Sequence, residues 1–234
     1  MPEIHKKLIA LQNLDEKIVL SNKKISAKSE EIQRLSEERE RDQAEWEEFR
    51  KTFNKERVEL AHLELELKQI EEKLKKSQGK LYSGDIHSAK ELEQWKANME
   101  TFEKSKTTLE DVVIGQLDKT EHLQLALKEK QARLHTRTND IEHSLARLKQ
   151  EIGELKTNVE HLSTNRRDAF QVIPVGTSSL YQDLRKKYPN PVVELEGETC
   201  TGCHLTLPST VLKSVRKQES LMQCPNCKRL IFPK

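Results

Sequence analysis

The stretch SQGKLYSGDIHSAKEL, Ser77 to Leu92, separates two long segments of seven-residue apolar periodicity, and its reading decides the fold. It holds Gly79 and Gly84, the only two glycines before Gly115, and Ser83-Gly84-Asp85 has the composition of a tight turn. Ser88 then precedes an apolar-periodic run with Glu91 three residues on, the spacing of a capping box. These features predict that one helix stops and another begins, with a tip at about residues 78–88 and a chain that folds back on itself. The competing arrangement is one continuous helix in a parallel homodimer, and two glycines beside a cap signal argue against it.

On the N-terminal side, steps of seven from Ile4 pass through Leu11, Ile18, Ile25, Ile32, Arg39, Trp46, Phe53, Leu60, Leu67 and Leu74. All but Arg39 are apolar, a sustained coiled-coil seam that a disordered chain would not carry. The companion positions are mixed. Leu14, Leu35, Phe49, Leu63 and Ile70 are apolar, whereas Ser21, Lys28, Asp42 and Glu56 are polar, so the seam should be weakest near Arg39 to Asp42.

On the other side, Leu92, Met99, Val113, Leu127, Leu134, Ile141, Leu148, Leu155 and Leu162 repeat the pattern, with Lys106 and Thr120 as its polar members. Two helices of about 75 residues, at about 1.5 Å per residue, predict a rod on the order of 110 Å long. A turn centred near Gly84 would set Phe53 opposite Val113 and Leu60 near Ser105 to Leu109. Trp46, Phe49 and Phe53 are read as seam filling, and the histidines scattered along the helices as solvated residues.

Composition agrees with this reading. Of 234 residues, 34% are hydrophobic, 4% aromatic and 34% charged, which suits long helices better than one large core. The formal net charge of +2 leaves no strong electrostatic case for nucleic-acid or membrane binding by the chain as a whole. Without an apolar run long enough to span a bilayer or a signal-like start, the expected compartment is the cytoplasm.

After Leu162 the composition changes at Pro174 and Gly176, and SSLYQDLRKKY predicts a short helix capped by Ser178 or Ser179 that packs Leu180, Tyr181 and Leu184 beside the C-terminal module. Val192, Val193 and Leu195, and then Leu230 to Phe232, are candidate strands. The expected organisation is a hairpin over 1–168, a linker with a short helix over 169–191, and a small α+β module over 192–234.

That module carries every cysteine in the chain. Cys200-x-x-Cys203 and Cys224-x-x-Cys227 are separated by twenty residues, the spacing of two zinc knuckles. Each pair presents two thiolates, and four sulfurs close a tetrahedron with no position left for an activated water, so one zinc is expected in a structural role. A redox dithiol, a disulfide pair and a c-type haem attached through Cys200, Cys203 and His204 are the rivals. The first lacks its βαβ context, the second its oxidising compartment and the third an apolar pocket. His204 is surplus as a ligand.

Between the knuckles, LPSTVLKSVRKQES predicts a helix begun by Pro208 and bearing Lys213, Arg216 and Lys217; Lys228 and Arg229 follow the last cysteine. These five residues are the candidate contacts to a partner or to nucleic acid, and they motivate the alternative of an RNA- or DNA-binding regulator. Six basic against four acidic residues after Tyr188, and Phe232 as the single aromatic there, weigh against it. No phosphate-cradling loop, nucleophile elbow or acid–base set is present, so an enzyme is not expected.

KLYSGDIHSAKELEQW at the tip, CTGCHLTLPSTVL at the first knuckle and CPNCKRLIF at the second resemble, in order and spacing, a bacterial family with a coiled-coil hairpin and a C-terminal C4-type zinc ribbon. Similarity is greatest to its chlamydial, type III secretion-associated branch, with flagellar-regulatory relatives beside it. The resemblance implies a non-enzymatic, chaperone-like adaptor that binds type III secretion or flagellar components and the alternative sigma factor RpoN. The family's ribbon usually has glycine where this chain has Lys228, and its tip often has asparagine where this chain has Ser88.

Overall fold

The computed structural model describes residues 2–83, 88–217 and 221–234. Two long helices, α1 (Pro2–Tyr82) and α2 (Ala89–Gln171), form an antiparallel hairpin. They are followed by α3 (Val175–Lys187), β1 (Val192–Glu196), β2 (Thr199–Cys200), α4 (Ser209–Lys217), β3 (Met222–Gln223) and β4 (Leu230–Pro233). The chain divides into two compact units, Arg34–Ser144 and the combination of Met1–Gln33 with Leu145–Lys234.

In the unit Arg34–Ser144, the heptad positions of both helices are the ones withdrawn from solvent, polar members included. Several polar groups at or beside these positions are paired across the seam, while Thr120 bonds within its own helix to the Gln116 carbonyl. Arg137 meets Glu38 and, at 2.7 Å, Asp42. Gln116 donates to the Glu56 carboxylate at 2.8 Å and Lys119 reaches it at 2.7 Å, while Lys106 meets Glu71 at 3.1 Å. The stretch expected to be weakest, Arg39 to Asp42, is therefore bridged by charge, with Arg39 3.9 Å from Glu142. Trp46 and Phe49 are half-buried, and each carries a cation over its ring, Arg50 and Lys130 respectively.

These pairs correct the expected register. Phe53 lies between Phe49, under Lys130, and Glu56, bonded to Gln116, so its counterpart falls beyond Lys119 and not at Val113. Ser105 and Leu109 likewise face Glu66 and Ile70, not Leu60. The helices are not placed symmetrically about Gly84: α1 ends two residues before it, at Tyr82, and α2 begins five residues after it, at Ala89. A glycine inside a helix costs only about 1 kcal/mol, and half-buried Leu81 carries the seam one turn further. The helix therefore runs on to Tyr82. The restart agrees with the sequence: the Leu92 amide donates to the Ser88 carbonyl at 3.1 Å. The turn expected at Gly84 and Asp85 lies outside the described residues.

In the other unit, the start of α1 is a core element. Leu8 and Leu11 are fully buried against Ile173, Tyr181 and Leu184 on one side and Val192, Leu230 and Phe232 on the other. Polar groups fix the same junction. Asp15, 7% exposed, accepts from the Tyr181 hydroxyl at 2.7 Å and from Arg166 at 2.5 Å, with Arg185 3.8 Å away. Burial first, and then the hydrogen bond to Asp15 and its charge, drive the Tyr181 phenol far above its ordinary pKa, so it remains a donor. Gln12 accepts from the Val192 amide at 2.8 Å, and the His5 ring stacks on Phe232 at 4.3 Å.

The short helix also begins earlier than its serines suggested. Pro174 is its N-cap residue and presets the extended entry (φ −55°, ψ 139°), with the amides of Thr177 and Ser178 bonding back to its carbonyl. Ser178 is thus buried inside the helix, its hydroxyl donating to Val175. Leu180, Tyr181 and Leu184 do pack beside the strands as expected. The sheet order is β2-β1-β4-β3, with β1 and β4 parallel and both edge pairs antiparallel.

Candidate metal centre

Two chain segments of the same local geometry carry the four cysteines. In the first, the Cys200 sulfur accepts backbone N–H bonds from Gly202 and Cys203, and the His204 amide returns to the Cys200 carbonyl at 2.8 Å. In the second, the Cys224 sulfur accepts from Asn226 and Cys227, and the Lys228 amide returns to the Cys224 carbonyl, again at 2.8 Å. The residue after each second cysteine is left-handed, His204 at φ 58° and Lys228 at φ 63°. Lys228 therefore adopts the conformation for which glycine is usual, at a local cost of about 1 kcal/mol. The turn survives the substitution.

The four sulfurs lie within 4.8 Å of one another. Cys200 and Cys227 approach to 3.9 Å, and Cys203 and Cys224 to 3.7 Å. A tetrahedral centre with metal–sulfur bonds of about 2.3 Å has edges of about 3.8 Å. Both of these contacts join one knuckle to the other at the edge length of such a centre.

The donor chemistry demands a cation as well. Burial pushes the Cys200 thiol up to about 12 and raises Cys227, whereas at Cys224 backbone and thiol hydrogen bonds outweigh burial and lower it. Four sulfurs so close cannot all ionise unaided, and a divalent ion supplies the missing charge. All four positions are filled by protein, so Cys200, Cys203, Cys224 and Cys227 hold one structural zinc.

The five basic candidates are not gathered in one place. Lys213, Arg216 and Lys217 lie exposed on α4, whose other face buries Leu212 and Val215; Arg216 donates to the Gly197 carbonyl at 3.2 Å. Lys228 is exposed at its turn, and Arg229 is half-buried. Arg229 donates to the Gly202 carbonyl and lies 4.3 Å over the Tyr188 ring, which makes it an internal tie. His204 is exposed beside the site.

The description of a CT398-like coiled-coil hairpin domain matches residues 11–189, and that of a C4-type zinc ribbon domain matches residues 199–231. The chain belongs to the CT398-like coiled-coil hairpin family. Among solved structures, CT398 from Chlamydia trachomatis is similar at a TM-score of 0.81 and 20% identity, over 100% of this chain and 99% of that one. A Mycobacterium smegmatis protein aligns over the same shares at a TM-score of 0.82 and 14% identity. The HP0958 protein of Helicobacter pylori aligns at 0.54 and 14%, over 99% of this chain and 98% of that one. At these identities the likeness is one of fold. A search of curated proteins found no significant match.

Sequence reasoning on this CT398-like chain found the four ligands by spacing, but missed Gln12, Asp15, Arg166 and Tyr181. The available signal was Leu8, Gln12 and Asp15, which flank the seam residue Leu11 at helical spacing. Such a stripe marks a second buried face.

Proposed function

We propose that this protein is a non-enzymatic cytoplasmic adaptor of chaperone-like character, with type III secretion or flagellar components and the sigma factor RpoN as its partners. The observation that carries the reading is a set of large apolar side chains on the hairpin that its own seam does not use. In the unit Arg34–Ser144, Val58 is 66% exposed, Leu65 54% and Ile114 57%, with Val112, Leu117 and Leu125 also open. Single exposed apolar residues are ordinary, but six on a two-helix scaffold supply anchors for another helix. The closed four-sulfur centre supports a structural and not a chemical role for the ribbon. Among the described residues no helix is long and apolar enough to cross a membrane.

Affinity capture from the native cell at moderate salt tests the proposal, followed by direct binding of purified RpoN and secretion components. Val58→Lys combined with Leu65→Lys and Ile114→Lys should abolish capture through the hairpin. Cys200→Ser with Cys203→Ser should abolish any capture through the ribbon. Unchanged capture by both variants would overturn the reading.

A further inference from the structure

Arg229 is joined to the metal centre and to the rest of its unit by four contacts. Its backbone amide donates to the Cys227 sulfur, and its carbonyl accepts from the Cys224 amide at 2.9 Å, so its main chain belongs to the second knuckle. Its guanidinium donates to the carbonyl of Gly202, which lies in the first knuckle between Cys200 and Cys203. The same guanidinium lies 4.3 Å over the ring of Tyr188, the residue that terminates α3. Tyr188 in turn packs on the core made by Leu8, Leu11, Tyr181 and Phe232.

The approach is built for this side chain. A Cβ on Gly202 would stand 2.5 Å from Arg229 Nη1 and 2.8 Å from Val193 Cγ1, so a side chain there would displace the guanidinium from its present place. Arg229 Nε is buried without a hydrogen-bond partner. A buried cationic donor is costly unless something offsets it. A centre of four thiolates and one divalent ion carries a net charge of about −2, and that charge provides the offset.

We infer that Arg229 is a positioning residue that makes the seating of the ribbon on α3 depend on the zinc. With the metal bound, the two knuckles are held at the separation Arg229 spans, and its guanidinium is fixed over Tyr188. When the metal leaves, the Gly202 carbonyl is no longer held opposite Arg229, and the contact with Tyr188 is released. Zinc occupancy is thereby communicated to the end of α3 through one side chain.

Hydrogen exchange of the full-length protein, with zinc bound and after chelation under reducing conditions, tests this inference. In the wild type, chelation should speed exchange roughly tenfold at the Tyr188 amide, which bonds to the Leu184 carbonyl at 2.8 Å. In Arg229→Gln with zinc still bound, that amide should already exchange fast, and chelation should add little. Arg229→Lys keeps the charge but not the planar fork, and should recover only part of the protection. Gly202→Ala keeps Arg229 but blocks its approach, and should behave as Arg229→Gln does.

Zinc release to a colorimetric chelator should be faster by about 10- to 100-fold in Arg229→Gln, the range for residues that support metal ligands from behind. Amides of the heptad seam in Arg34–Ser144 serve as the folding control. Retention of the full zinc dependence at Tyr188 in both Arg229→Gln and Gly202→Ala would overturn the inference.

Discussion

Two single residues pay conformational or solvation costs that can be measured. Lys228 holds φ 63° where a side chain is disfavoured, so Lys228→Gly should leave zinc stoichiometry at one per chain and stabilise the ribbon by about 0.5–1 kcal/mol in thermal unfolding of the metal-bound form. No gain would mean the turn is unstrained. His5 is held below the usual imidazole pKa, chiefly by burial, with the Glu194 charge acting upward. Its unfolded form binds a proton more readily than its folded form, so its contribution is present above about pH 6.5 and is lost as the pH falls through the lower folded value. His5→Phe should flatten that part of the stability profile between pH 7.5 and 5, measured with zinc saturating. The metal ligands were legible from the sequence because two short spacings fix them. His5, Gln12 and Asp15 were not, because their partners Phe232, Val192 and Tyr181 lie far along the chain, and a local stripe marks a buried face without naming what covers it.

Between elements, the polar seam positions act as register pins. Glu56, bonded to Gln116 and Lys119, fits no other alignment of the two helices without losing its partners. Replacing both Glu56 and Gln116 by leucine should raise the melting temperature by about 2–4 °C for each kcal/mol gained, while admitting slipped or self-associated forms visible by light scattering. A uniquely monomeric and more stable double variant would show that these polar groups do not set register. At the base of the hairpin, Tyr181→Phe strips Asp15 of a buried donor and should cost about 1.5–3 kcal/mol in chemical denaturation. Helix type and length were legible from the heptads. The register was not, because the heptads repeat along both helices and no local signal fixes which turn of one meets which turn of the other, so a turn centred on Gly84 misplaced the pairing.

For the molecule as a whole, the four cysteines tie together a small module whose kind draws much of its folding free energy from the metal, and the seam of Arg34–Ser144 belongs to the other compact unit. Chelation under reducing conditions should therefore expose the amides of 192–234 to fast exchange and leave those of Arg34–Ser144 protected, with only a small loss of helical ellipticity. The two-part plan was legible from a heptad seam giving way to paired cysteines. The extra core uniting the start of α1 with α3 and the strands was not, since it joins residues more than 150 positions apart in the chain. That separation has a consequence for biogenesis. Leu8 and Leu11 are synthesised more than two hundred residues before Phe232, which helps to cover them. At roughly 5–20 residues per second, the gap is on the order of ten to forty seconds, during which the nascent chain presents a bare greasy stripe to the cell.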